Sequence, residues 1–388
     1  MLKQFVQVKM WVAALVFSMF ATGLALAQTK PPLKIGAYLS VTGPGSFLGS
    51  AEMKAVELYV DMINNAGGVD GRKIELYGYD DESNAARANT LVKRLIENDK
   101  VHAIIGGSLT GSTMSAVPLV ERAGVPMLSL AGGTVIIDPI KKFVFKMTPT
   151  DAMAVDRLYN HMNGRGIKSL GVIAGTDAFG RACLAAAQKI ALERGMKVVR
   201  EESFNTKDTD MTVQLTNLRQ ESGIKAILNC AVGDPAAIIT KNYKQLAITL
   251  PHYSTHANAS DTFIKLAGAA AEGMIMANGA VLVWSQLPAN DPQNEVVQAF
   301  VKAYRNKYGE VPSYFAGLGA DALLAIRRAV ERSGSTEPGK IRDFIEKDNN
   351  FVGVSGIFHA MSETDHMGLT PAALRVVQIA NGSWKLID

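Results

Sequence analysis

The sequence predicts an α/β protein built from two units of similar design, each a parallel sheet covered by helices on both faces. From Leu33 onward short β-rich runs alternate with helical patterns, the order that builds parallel sheets. The same theme restarts near Ser169. Runs such as HAIIGG (102–107) are continuously apolar, as strands buried on both faces are.

The first unit opens with the strand KIGAYLS (34–40), a helix through Met53 to Asn65 closed by Gly67-Gly68, and the strand KIELYGY (73–79). A helix over ANTLVKRLIEN (88–98), the strand HAIIGG, a helix after Thr110 and the strand VPMLSL (125–130) follow. The second unit begins with SLGVIAGTDAFGRACLAAAQKIALERG (169–195), read as strand then helix. It continues with KVVREESF (197–204), a helix around Val213 to Glu221, the strand KAILNCAV (225–232) and a helix opened by Asp234-Pro235. A helical block covers Asn294 to Tyr308 and Tyr314 to Arg332. The chain closes with GVSGIFHA (353–360) and ALRVVQIANGSWKLI (373–387), where Asn381-Gly382 between apolar runs signals a hairpin turn.

The first 27 residues carry Lys3 and Lys9, no acid, an uncharged run from Met10 to Ala27 and a closing Ala25-Leu26-Ala27, the pattern of a cleavable export signal. An uncleaved anchor is the competing reading, but the polar arm Gln28 to Pro32 is what cleavage leaves. No Cys follows the site, so no lipid anchor is expected. Removing 27 of 388 residues leaves 361, enough for about two domains, and lowers the net charge from +4 to +2. With no basic cluster, nucleic acid is not expected as a partner. Cys183 and Cys230 lie in apolar helix and strand contexts, which favours two buried free thiols over the bridge that an even pair in an exported chain permits.

The glycine-rich turn Gly43 to Gly49 is no dinucleotide fingerprint, because Leu48 stands where the third glycine belongs, and it lacks the Gly-Lys-Ser/Thr of a P-loop. The loops Gly106 to Ala116 and Ser129 to Thr134 each follow a predicted strand, at the edge where open α/β sheets bind ligands. The first leads into a helix whose free N–H groups favour an anion. Thr110, Ser112 and Thr134 add hydroxyls without charge, a donor set suited to one carboxylate. Small-residue turns and helix caps are the plainer account of the same residues.

LKIGAYLS, NNAGGVDGRKIELYGYDDESN, IIGGSLTGSTMSAVPLVERAGVPMLSLAGGT, FKMTPTDAM, TDAFGRA and GVSGIF, in this order, make the chain resemble the periplasmic leucine/isoleucine/valine (branched-chain amino acid) binding proteins, type I solute-binding components of ABC importers. The resemblance covers nearly all of the mature chain. It implies two Rossmann-like lobes joined by three hinge crossings, near Met147–Asp151, Met276–Ala280 and Phe351–Val354. Residues 31–148 with 280–352 would form one lobe, and 149–279 with 353–388 the other. It implies a ligand carboxylate held by Thr110, with neighbours Ser108 and Leu109, and by Ala131, Gly132, Gly133 and Thr134. Side walls would come from Phe47 or Leu48, Phe179, and Tyr314 or Phe315. The implied partners are a small carboxylate and the permease, with a periplasmic, monomeric protein and no cofactor.

One departure bears on the ligand. Where the family sets an acid against an α-ammonium, HYSTHANAS places Ser254. Asp177 and Asp234 could substitute, but each stands at a helix start, where capping is the expected job. An ammonium buried without a carboxylate is costly, so an aromatic or 2-oxo acid is favoured, with amino acids as the alternative. His252 and His256 would suit a metal only on a helix; they read as a strand end and the loop after it, with His256 available to the ligand and no metal expected. A secreted hydrolase would need Gly-x-Ser-x-Gly, and Gly106 to Thr110 ends in Thr. A sensor acting through a separate membrane receptor is the third class.

Overall fold

The computed structural model describes residues 30–348 and 350–387; the expected export signal lies outside them. Strands β1 (Leu33–Leu39), β2 (Ile74–Asp80), β3 (Ala103–Gly106), β4 (Met127–Ser129) and β5 (Val144–Lys146) form a parallel sheet in the order β2-β1-β3-β4-β5. All of β1 except Lys34 is buried, as its unbroken apolar run requires. The Ser46–Asn65 and Tyr314–Ser333 helices pack together over this sheet. They approach closely because position 319 is glycine: a Cβ there would stand 2.5 Å from the Glu52 carbonyl oxygen.

The second sheet runs β14-β13-β10-β9-β8-β6-β7. β6 (Ser169–Gly175), β7 (Lys197–Phe204), β8 (Ile227–Cys230), β9 (His252–Ser254) and β10 (Ile275–Asn278) are parallel, β13 (Arg375–Ala380) and β14 (Ser383–Leu386) add antiparallel, and β11 (Phe351–Val352) and β12 (Ile357–Phe358) pair apart from both sheets. The Asn381-Gly382 turn has positive φ at both residues, 53° and 67°, as a two-residue type I′ hairpin demands. The mixed α/β architecture of two largely parallel sheets is the one expected.

The cysteines correct an expectation. Cys183, on the Ala178–Glu193 helix, and Cys230, at the end of β8, are joined in a disulfide with a Cα–Cα distance of 5.8 Å. The cause is topological. β6 pairs directly with β8, putting Ala174 beside Cys230, and the helix that follows β6 folds back over that pair. Nearness across a crossover connection leaves no mark on either local sequence.

The chain leaves the first sheet at Lys146 and starts the Asp151–Gly164 helix of the second unit five residues later. It returns after β10, through the helical turn Ala280–Gln286. The third passage follows the Tyr314–Ser333 and Pro338–Asp348 helices. Asp321, on the Tyr314–Ser333 helix, accepts hydrogen bonds from the Val354 and Ser355 amides (2.8 and 2.7 Å), and the Lys146 amide donates to the His366 carbonyl at 2.8 Å. Residues 354–368 are therefore bound to the first lobe by the buried Asp321 carboxylate and the last residue of β5. The chain rejoins the second sheet at Arg375.

Candidate ligand-binding site

Between the sheets, where the loops after β3 and β4 face those after β6, β8 and β9, lies a small inner cavity of about 30 Å³. It adjoins an outer space of about 340 Å³, with Leu109, Thr110, Phe179 and Val232 forming walls of both. The larger space is at the lower end of the range for small-molecule sites. The lobes meet around it. A Cβ on Gly132 of the first lobe would come within 2.7 Å of His256 Nε2 and 3.2 Å of the Phe179 ring, both of the second lobe. A Cβ on Gly233 would stand 2.6 Å from the Pro44 carbonyl oxygen.

The first-lobe wall is a set of uncharged donors. Thr110 opens the Thr110–Ala123 helix, whose N-cap, Leu109, has no side chain able to satisfy the first-turn amides. Thr110 Oγ1 accepts the Gly133 N–H at 3.2 Å and keeps its own hydrogen. The buried Ser112 hydroxyl has no partner among the described residues. Ser108, 4% exposed, accepts the Ser40 N–H at 3.0 Å and lies 2.5 Å from the Glu52 carboxyl.

His256 is the polar group of the second-lobe wall. Its ring is met edge-on by Phe179, with centroids 6.3 Å apart, and its carbonyl accepts the Asn278 amide at 2.9 Å. Burial, then the nearby Lys146 charge, hold the imidazole well below its usual range, at about 3, so it is neutral with Nδ1 unpartnered. Lys146 is buried at the first crossing, where its ammonium donates to the Thr148 and Pro149 carbonyls at 2.8 Å each. Burial lowers it to about 7, against the attraction of Asp151.

Of the residues singled out in the sequence, Leu48, Ser108, Leu109, Thr110, Gly132, Phe179, His256 and Phe315 line the inner cavity. Phe47 stands one layer back, edge-on to Phe315 at 5.8 Å. The Ala131 and Gly133 amides are spent on Ser129 Oγ and Thr110 Oγ1. Thr134 does not serve the cradle, because its hydroxyl and amide both donate to Asp151, pinning the loop to the first crossing. Ser254 sits inside the second sheet and accepts the Asn258 amide at 2.9 Å, so strand β9 carries it out of the wall. Asp177 caps its helix through Gly180 N at 2.7 Å and borders only the outer space. Asp234 is exposed, and the expected cap is absent because Gly233 occupies the N-cap position, leaving Asp234 inside the first turn. Leu130, Thr148, Val232 and Ala257 complete the wall; they lie in the loops and turn that follow β4, β5, β8 and β9, with no sequence signal beyond that position. His252 is apart from His256, stacked on Tyr243 at 4.3 Å and kept neutral by burial. Among the described residues no group of three or more His, Cys, Asp or Glu could hold a metal ion.

Comparison with known proteins identifies this architecture. The family described as periplasmic binding protein matches residues 32–383. A leucine-, isoleucine-, valine-, threonine- and alanine-binding protein of Pseudomonas aeruginosa is 23% identical over 351 residues, 89% of each chain. Among solved structures, an extracellular ligand-binding receptor from Rhodopseudomonas palustris HaA2 superposes with a TM-score of 0.85 at 26% identity, covering 92% of this chain and 99% of that one. The branched-chain amino acid transporter substrate binding protein LivJ from Streptococcus pneumoniae, solved with isoleucine, gives 0.80 at 25% identity over 91% and 98%. The chain belongs to the periplasmic binding protein family, as a type I protein of the branched-chain amino acid binding kind.

Proposed function

We propose that this protein is the periplasmic solute-binding component of an ABC importer, a non-enzymatic, monomeric carrier that captures a small carboxylate lacking an α-ammonium and hands it to a membrane permease. The observation that carries the ligand class is the composition of the inner wall: hydroxyls, an open helix start and a neutral imidazole, with no Asp or Glu among its residues. A guest carboxylate would find donors there, whereas an ammonium would lose its water without gaining a counter-charge. Aromatic and 2-oxo acids fit this description better than amino acids, the ligands named for the relatives. Capture works by population shift, since a solute touching Thr110 on one lobe and His256 on the other favours the closed form only through contacts absent when the lobes part.

Mass spectrometry of solute released from the purified protein, followed by a thermal-shift screen of leucine against 4-methyl-2-oxopentanoate and benzoate, tests the assignment. Stabilisation by leucine alone would return the protein to the amino acid class. Thr110→Val removes a hydroxyl donor to a buried anion and should weaken binding of the preferred acid by about 1.5 to 3 kcal/mol in calorimetry. Unchanged affinity would remove Thr110 from the cradle.

A further inference from the structure

The hydroxyl of Ser108 faces the inner cavity with its bonding capacity nearly used up behind it. A serine hydroxyl offers one hydrogen and two lone pairs. One lone pair takes the Ser40 N–H at 3.0 Å, and Glu52 Oε2 lies 2.5 Å away. The direction of that second bond decides what the cavity sees. With Glu52 ionised, the only hydroxyl hydrogen must go to the carboxylate, and a lone pair is left toward the guest. With Glu52 protonated, the acid donates to Ser108, whose hydrogen is then free to point into the cavity.

We infer that Glu52 is a positioning residue which, in its protonated form, makes Ser108 a donor to the carboxylate of the bound solute; this rests on the carboxylate reading above. Glu52 is fully buried and its Oε1 is unpartnered. The groups facing it are Ser40 at the end of β1, Ser108 after β3, and Asp81 after β2; from the Tyr314–Ser333 helix it meets the Gly319 backbone. Asp81 accepts from Ser40 Oγ at 2.7 Å and from the Ser83 N–H at 2.8 Å, and its Oδ2 is likewise unpartnered. No cation pairs with Glu52 among the described residues. Burial, with a smaller push from Asp81, raises its carboxyl to about 8 despite the Ser108 bond, so the protonated form prevails at neutral pH.

Calorimetric titration with benzoate and with 4-methyl-2-oxopentanoate, from about pH 6 to about pH 9.5, reads the effect, because neither acid changes charge there. Wild-type affinity should fall by about ten- to thirtyfold as pH rises through the Glu52 range, up to tenfold for each unit above it. Glu52→Gln, whose amide N–H₂ donates at every pH, should keep the neutral-pH affinity and lose that fall. Any residual decline would come from Lys146 and persist in Glu52→Gln. Ser108→Ala should bind at every pH about as weakly as the wild type does at the alkaline end. An equal alkaline loss in wild type and Glu52→Gln, or a pH-dependent Ser108→Ala that matches wild type, overturns the Glu52 assignment while leaving the carboxylate reading intact. Failure of wild type to bind either acid at any pH overturns the carboxylate reading and this inference with it.

Discussion

Replacing both Cys183 and Cys230 by alanine should lower the melting temperature of the second lobe by about 10 °C, with little change in solute affinity. The bridge closes a loop of 47 residues, for which chain entropy gives a stabilisation of about 4 kcal/mol. Spread over a lobe of this size, that energy corresponds to roughly 8 to 16 °C. Affinity is spared because neither cysteine lines the cavity: the Ala178–Glu193 helix presents Phe179 to the cavity and Cys183 to the core one turn further on. Differential scanning calorimetry of the variant and the wild type measures the shift. A thiol assay on the unfolded, unreduced protein should find no free thiol. Two free thiols, or melting within about 2 °C of wild type, would show that the bridge is not formed or contributes nothing.

The disulfide also marks where sequence reasoning stops. The strand and helix order was legible because buried parallel strands read as unbroken apolar runs and their helices begin at capping residues, as Asp177 does. Which strands neighbour which is a different kind of information. β6 lies between β7 and β8, and that adjacency alone brings position 183 over position 230. Asp321 illustrates the same limit. A carboxylate in the middle of an apolar helix holds the Val354 and Ser355 amides and keeps that segment on the first lobe, a bond spanning more than thirty residues that no local pattern announces.

The site was legible to a similar degree. Loops after strands β3 and β4 had to lie at the carboxyl edge of the sheet, so Ser108, Leu109, Thr110 and Gly132 line the cavity as their position implied. The division of labour within those loops was hidden. Thr134 and Thr110 are alike as residues, but Thr134 points back to Asp151 while Thr110 keeps a free hydrogen, because Asp151 begins a helix directly below the Ser129–Thr134 loop. Ser254 and His256, two positions apart, differ through the end of β9: the strand buries the first in the sheet, and the turn after it delivers the second to the cavity.

Placing a leucine at position 132 should weaken capture sharply while leaving the protein folded. Gly132 has no positive φ, so its backbone accepts any residue and the fold is kept. In the closed arrangement even a Cβ would stand 2.7 Å from His256 Nε2 and 3.2 Å from Phe179, both rings buried and held by the second lobe. Relief comes by parting the lobes, and the His256 side of the cavity then moves away from the Thr110 side. Overpacking of this kind costs about 1 to 3 kcal/mol, and since binding draws on the closed population, affinity should drop by about 5- to 150-fold. Gly164→Ala, at a helix end with nothing within 4 Å of the new methyl, serves as the control and should bind as wild type does. Because Gly132 also borders the cavity, calorimetry alone would not separate a blocked cleft from a filled one. Small-angle scattering makes that separation: solute should contract the wild type and leave Gly132→Leu expanded even at saturating concentration. A Gly132→Leu protein that contracts and binds like wild type would show that the lobes do not close on this glycine, and the two-lobed grip on the solute would have to be abandoned.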